Sequence, residues 1–175
     1  MFHPFPILST DRIVLNEIQQ SDNFSIFDLR SNHEVIKYIK RPPYQTIKEA
    51  NEFIKKIQKG VANNDWINWK IRLTNNDTMI GSICIWNFSK DHKTAEIGYD
   101  LMPQYHGKGI MSEAMKLVLH YGFTHLKLDS ILAYTDQRNI ASKSLLKKHP
   151  FIHQKEQFDK HNDMNEIYQL NNNKE

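Results

Sequence analysis

Hydrophobic and polar positions along the chain repeat at two different periods, and the places where the period changes mark out its elements. Over residues 93–102, Ala95, Ile97, Tyr99 and Leu101 fall on one side and Glu96, Gly98 and Asp100 on the other, which is the two-residue period of a strand. Pro103, with no N–H to give a ladder, ends that alternation. From Ile110 the spacing becomes three to four. Ile110, Ala114 and Val118, flanked by Met111, Met115 and Leu119, form an apolar stripe opposite Glu113, Lys116, His120 and Thr124, and predict a helix of about four turns.

The same reading extends to both sides. Residues 12–18 predict an opening strand, and short helices are expected over 24–29, capped by Ser21, and 34–39, after Ser31. Arg41-Pro42-Pro43-Tyr44 breaks the chain. Thr46 and Glu49 then form a capping box that opens a helix expected to stop at Gly60. Strands over 66–73 and 78–88, joined at Asn75-Asn76-Asp77, predict an antiparallel hairpin. A strand over 130–134, a helix over 139–148 and closing strands over 151–158 and 165–170 complete the order. That order predicts a single α/β domain over residues 1–175, with its core in 9–170 and a disordered tail over 171–175. Its sheet is mixed, mostly antiparallel, of about six or seven strands, with helices on both faces.

Composition narrows the class of protein. A chain of 175 residues suits one domain with a sizeable core and needs no disulfide staple. The one cysteine, Cys84, sits in the apolar run Ile83-Cys84-Ile85 and reads as a small buried hydrophobe. With 23 Lys and Arg against 20 Asp and Glu, the net charge of +3 gives no case for nucleic acid. The opening residues lack the basic start and apolar core of a signal peptide, and no apolar run reaches the ~18 residues of a membrane span. A cytoplasmic location and no membrane partner are therefore expected.

Between the strand and the helix lies Pro103-Gln104-Tyr105-His106-Gly107-Lys108-Gly109-Ile110-Met111. A glycine-bearing turn that opens a helix presents N–H groups without internal partners, together with the positive end of the helix dipole, to an anion. The residues match neither the P-loop nor the dinucleotide pattern. On its own the turn indicates only a phosphate-bearing ligand.

Taken together, Ala95-Glu96-Ile97-Gly98-Tyr99-Asp100-Leu101-Met102-Pro103, Gly107-Lys108-Gly109-Ile110-Met111-Ser112-Glu113-Ala114, Asn139-Ile140-Ala141-Ser142 and Phe151 resemble the GCN5-related N-acetyltransferases (GNAT). The opening Thr10-Asp11-Arg12-Ile13-Val14-Leu15 is similar to the branch that acetylates ribosomal protein N-termini. The resemblance implies acetyl-CoA, released as CoA, and no metal. It also implies a sheet splayed where the cofactor lies. The pyrophosphate would rest on the turn and helix start, His106, Gly107, Lys108, Gly109, Ile110, Met111 and Ser112, with Gly109 and Met111 taking the two small positions of the family pattern. The pantetheine would run along the strand end at Leu101 and Met102, and Asn139 and Ser142 would contact the cofactor arm. A helix-capping role for Asn139 stands beside that reading. Lys147 and Lys148 would either approach the 3′-phosphate or stay solvated.

Amide formation needs a neutral amine, a donor for the carbonyl oxygen and a proton for the departing sulfur. An α-amine, with a pKa near 7.7–8, costs about 1 kcal/mol to deprotonate near neutral pH, and a lysine-like amine about 4. The resemblance implies a backbone N–H donor at Leu101 or Met102 and places Leu146 where many relatives carry an acidic tyrosine, leaving Ser142 as the candidate acid. Glu96 is the candidate base, with Glu156, His161, Asp163 and Glu166 as alternatives in the closing segment. Phe24, Phe27, Tyr38, Tyr44 and Trp66 are candidates for an acceptor site. The implied acceptor is a protein N-terminal α-amine; a small amine, such as a polyamine, aminoglycoside or amino acid, and a non-catalytic acyl-CoA-binding module are the alternatives. A homodimer is compatible with the chain.

Overall fold

The computed structural model describes residues 2–172. Eight strands form one open mixed sheet: β1 (Leu8–Ser9), β2 (Ile13–Glu17), β3 (Ile67–Leu73), β4 (Gly81–Trp86), β5 (Thr94–Leu101), β6 (Ser130–Asp136), β7 (Ile152–His153) and β8 (Asn165–Asn171). Their spatial order is β1-β2-β3-β4-β5-β6-β8-β7, and only β5 and β6 run parallel. The added strand is β1, whose two residues are too short to show a period, and the strand expected over 151–158 is reduced to the two residues of β7.

Five α-helices cover both faces: α1 (Asn23–Ser31), α2 (His33–Ile36), α3 (Ile47–Asn63), α4 (Ile110–Thr124) and α5 (Ile140–Lys148). Alternation along the strands assigns the faces. Trp69, fully buried, meets Tyr121 of α4 edge-on at 5.5 Å, and the space at Gly122 is closed by Ile85 and Ile131. Lys70, one residue further, points to the opposite face, where its Nζ pairs with Asp22 at 2.9 Å just ahead of α1. The helices α4 and α5 thus lie on the odd-numbered face of β3, β4 and β5, and α1 and α3 on the other.

Several helix ends differ from the sequence expectation. A 3-10 turn, Gln20–Asp22, precedes α1, so Ser21 lies inside a turn and does not cap that helix. The cap of α2 is Asn32, whose side chain accepts from the N–H groups of Glu34 and Val35. The Thr46–Glu49 capping box forms as expected, but α3 runs past Gly60 to Asn63 and closes on Asn64 in the left-handed conformation. Gly60 is there for space: a Cβ on it would fall 2.0 Å from the Trp66 indole. Past α5, Pro150 holds His149 out of helical geometry, as its fixed φ requires, and α5 ends at Lys148. Asn171 ends β8 and Asn172 donates to the Asp129 carbonyl, whereas 173–175, the rest of the expected tail, lie outside the described residues.

Gly60→Ala tests the reading of that glycine. Helix propensity alone would favour alanine by about 1 kcal/mol. Overlap with an indole already held by its bond to the Ile57 carbonyl is expected to reverse the sign, destabilising by about 1–3 kcal/mol in urea denaturation.

Candidate active site

The parallel ladder between β5 and β6 pairs only Thr94, Ala95 and Glu96 with Ser130, Ile131 and Leu132. Beyond it the strands diverge, while β6 remains fully paired with β8 on its other side and β5 with β4. A cleft of about 950 Å³ opens in the gap.

Ladder alternation says which main-chain groups face the gap. The N–H of Met102 donates to the Ile80 carbonyl at 2.9 Å, so even-numbered residues of β5 turn their polar groups toward β4. Ile97, Tyr99 and Leu101 therefore turn theirs toward the parted strand. His106 Nε2 donates to the Leu101 carbonyl at 2.8 Å, which agrees with this orientation. Of the two amides expected at the strand end, that of Leu101 faces the gap and that of Met102 is already engaged with β4.

At the upper end of the cleft is the turn. Gly107 and Gly109 have φ of +72° and +78°, a region glycine enters without strain. Gly109 is the N-cap of α4 and offers no side chain to its N–H groups, so those of Ile110, Met111 and Ser112 are left to meet whatever occupies the cleft. His106, Gly107, Gly109, Ile110, Met111 and Ser112 all line it. Lys108 does not; its ammonium lies 5.7 Å from the Tyr105 ring centre. The turn is tied from outside by Arg12, which donates to the Lys108 carbonyl at 3.1 Å and through Nε to Glu113 at 2.8 Å, while its Nη2 also pairs with that carboxylate. The Arg12 and Thr10 bonds hold the Glu113 carboxyl below its ordinary range.

On the α5 side, Asn139 Oδ1 accepts from the Ser142 N–H at 3.1 Å, so its side chain is a helix cap. The Ser142 hydroxyl, nearly buried, lies 2.7 Å from the Tyr99 hydroxyl. Burial pushes Tyr99 up to about 12, which keeps its proton in place throughout the neutral range. Tyr99 was visible in the strand pattern only as a core-facing aromatic. Its distance from Ser142 depends on how α5 packs, and no spacing rule reports that.

The candidate bases are distributed unevenly. Glu96 lies at the last paired rung, outside the cleft lining; its Oε1 accepts from Asn87 Nδ2 at 2.6 Å, and burial raises its pKa. Glu166 is bound to Lys143 and the Tyr168 hydroxyl, and Glu156 is exposed away from the cleft. His161 lines the cleft, and Asp163 a smaller hollow beside it. Of the five candidate aromatics only Tyr38 reaches the lining; Phe24 is 70% exposed and Trp66 packs on α3. Lys148 lines the cleft near α5, and Lys147 does not. Burial pushes the Cys84 thiol up to about 12, so it stays protonated.

Residues 12–152 match the family model of the acetyltransferase (GNAT) domain. The chain belongs to the GNAT acetyltransferase family. The uncharacterized N-acetyltransferase YoaA of Bacillus subtilis is 36% identical to this acetyltransferase over 147 residues, 84% of this chain and 83% of its own. The spermidine N(1)-acetyltransferase of Escherichia coli is 24% identical over 131 residues, 75% of this chain and 68% of its own. A Vibrio cholerae structure described as a ribosomal-protein-serine acetyltransferase overlays with a TM-score of 0.84 at 18% identity, over 97% of this chain and 99% of its own. At that identity the overlay bears on the fold alone.

Because Glu113 is held below its usual pKa, the Arg12 clamp stabilises the fold above the unfolded carboxyl pKa near 4.3 and loses this effect as pH falls through the lower folded value. Arg12 is half exposed, which limits the gain. Arg12→Ala is expected to cost about 1 kcal/mol at pH 7, with the difference from the parent narrowing as pH falls below the unfolded carboxyl pKa near 4.3, as read by urea denaturation across that range.

Proposed function

We propose that this acetyltransferase moves an acetyl group from acetyl-CoA to a primary amine, with a protein N-terminal α-amine as acceptor. The observation that carries the cofactor reading is the junction of three features in one cleft: the unpaired edge of β5, the uncapped N–H groups at the start of α4, and the Tyr99–Ser142 hydroxyl pair. A diphosphate suits the amides of Ile110, Met111 and Ser112, where dipole and unpaired donors coincide. An extended amide-bearing arm suits the free edge of β5, whose outward N–H and C=O groups are those of a strand without a neighbour. Ile140, exposed at the start of α5, and Lys148 at its end border the same cleft.

When bound, acetyl-CoA supplies an activated acyl group with a thiol leaving group. The chain's own residues do the rest. The Leu101 N–H, aimed into the gap, donates to the carbonyl oxygen as charge builds there, a contribution of about 3 kcal/mol for one well-placed donor. Tyr99 and Ser142 hold a proton in a short hydrogen bond beside the strand edge, ready for the departing sulfur. Tyr99 thus brings a phenol to the cleft from β5, whereas Leu146 of α5 is fully buried outside its lining.

The charge at the acceptor end supports the α-amine over a polyamine. Across the cleft the carboxylates Glu34, Asp100, Asp136 and Asp159 are matched by Lys37, Lys40, Arg138 and Lys148, and Asp136 is tied up by Arg138 at 2.7 Å. A polycation gains little from such a mixed rim, whereas a peptide with one terminal amine is not repelled by it. The likeness to the spermidine enzyme favours the second reading, and one panel separates the two.

Thiol release from acetyl-CoA, measured against N-terminal peptides and spermidine, is expected to show a kcat/KM at least about tenfold higher for a peptide; the reverse order would assign the polyamine. Absence of CoA protection against thermal unfolding would remove the cofactor reading altogether. Tyr99→Phe and Ser142→Ala are each expected to lower kcat by about 10- to 100-fold with little change in KM for acetyl-CoA, and an unchanged kcat under chemistry-limited conditions removes that residue from the proton path.

A further inference from the structure

We propose that Asp100 is the carboxylate that receives the acceptor amine and acts as the general base of the reaction. The inference rests on the acetyl-transfer reading above and adds the residue that meets the acceptor.

Asp100 immediately precedes Leu101, whose amide faces the gap, and it lines the cleft. Strand alternation sends its side chain to the face opposite Tyr99. Since β5 and β6 have parted here, both faces communicate through the gap, with the Tyr99–Ser142 pair on one side and Asp100 on the other. An amine attacking a carbonyl held at the Leu101 N–H, with sulfur departing toward Tyr99, arrives from the side of Asp100.

The carboxylate is held for this use. Its Oδ1 accepts from the Ser82 N–H at 3.0 Å and the Ser82 hydroxyl at 2.7 Å, both from β4. No cation comes within ion-pair distance of it among the described residues; Arg41, which acts on it through space, makes its closest partner contacts with Tyr44. A desolvated carboxylate without a cation is costly, and an incoming ammonium supplies the missing charge. Burial raises the pKa of Asp100, in the direction that lets it accept a proton. The groups around it are Arg41 and Tyr44 from the segment after α2, Cys84 on β4, the Lys70–Asp22 pair one strand beyond Ser82 in the same row, Glu96 earlier on the same face and Tyr134 on β6. Glu96, the carboxylate expected from the sequence, is held by Asn87 outside the lining.

The proton balance closes without a further reactant. Asp100 takes one proton from the acceptor ammonium and passes it to solvent, leaving a lone pair on nitrogen. The N–C bond forms and the C–S bond breaks. The nitrogen then sheds its second proton to Asp100, already freed of the first, which passes it to solvent, while the Tyr99–Ser142 pair, having given one proton to sulfur, regains one from solvent.

Asp100→Asn keeps an oxygen for Ser82 and removes the base. With an N-terminal peptide and acetyl-CoA, kcat/KM at pH 7 is expected to fall by about 100-fold, with CoA protection against thermal unfolding retained. The deficit should shrink as pH rises toward about 8, where the α-amine loses its own proton in solution. A variant within about twofold of the parent, with the same pH profile, overturns the proposal. If Asp100→Asn does not fold, Ser82→Ala is the second variant: losing a donor to the carboxylate, it should move the acid limb of kcat/KM to higher pH, and an unmoved limb overturns the proposal equally. No thiol release by the parent enzyme with any amine, alongside intact CoA protection, would instead overturn the acetyl-transfer reading beneath it.

Discussion

The separation of two parallel strands after three residue pairs is the constraint on which the rest of this molecule depends. Main-chain N–H and C=O groups within a sheet are normally consumed by the neighbouring strand, and leaving them unmatched in a buried setting is costly. Here β5 and β6 part beyond Glu96 and Leu132, and each stays bound to its other neighbour, β4 or β8, so the sheet does not unravel. The gap is therefore stable while its edges remain unsatisfied. A ligand with an extended amide chain is the natural complement to such an edge.

Everything around the gap is arranged by the same alternation. Odd-numbered residues of β5 send their main-chain groups toward the parted strand and their side chains to the α4 and α5 side, which brings the Tyr99 hydroxyl to Ser142. Even-numbered ones send their main-chain groups to β4 and their side chains to the α1 and α3 side, which brings Asp100 to Ser82. Tyr99, Asp100 and Leu101 are consecutive, so the pleat of one strand presents a phenol, a carboxylate and a main-chain N–H at one cleft. Slipping the register by one residue would exchange all of them at once.

The sequence carried the parts of this design that depend on periodicity and local chemistry. The strand over 93–102, the α4 stripe, the Thr46–Glu49 box and the glycine turn before Ile110 were legible because each is a short-range pattern. What depends on packing was not. Gly60 looked like a helix stop because glycine commonly ends helices, but the Trp66 indole occupies the space its missing side chain leaves. Ser21 carried the composition of a cap, yet a 3-10 turn took its place. Glu96 drew attention by family position, although at the last paired rung of the β4–β5 hairpin it is held by Asn87, the residue after its cross-strand partner Trp86. The placement of Tyr99 and Asp100 at the cleft required knowing which side of the strand faced the gap.

The clamp on the anion turn spans a long stretch of sequence. Arg12 borders the second strand of the sheet, and the groups it grips, the Lys108 carbonyl and Glu113, come about 100 residues later in chain order. Local bonds hold the first half of the turn, from the Tyr105 and His106 N–H groups to the Met102 and Pro103 carbonyls and from His106 Nε2 to the Leu101 carbonyl, whereas the Lys108 end is tied by Arg12 from a distance. Its Lys108 end is clamped only with the N-terminal strand in place against β3, so the shape of the site depends on contacts that close loops of about 100 residues. Such loops cost more chain entropy to close than helix-local contacts do, so the shape of the anion turn is bound to the long-range closure of the fold and not to its own short stretch of chain.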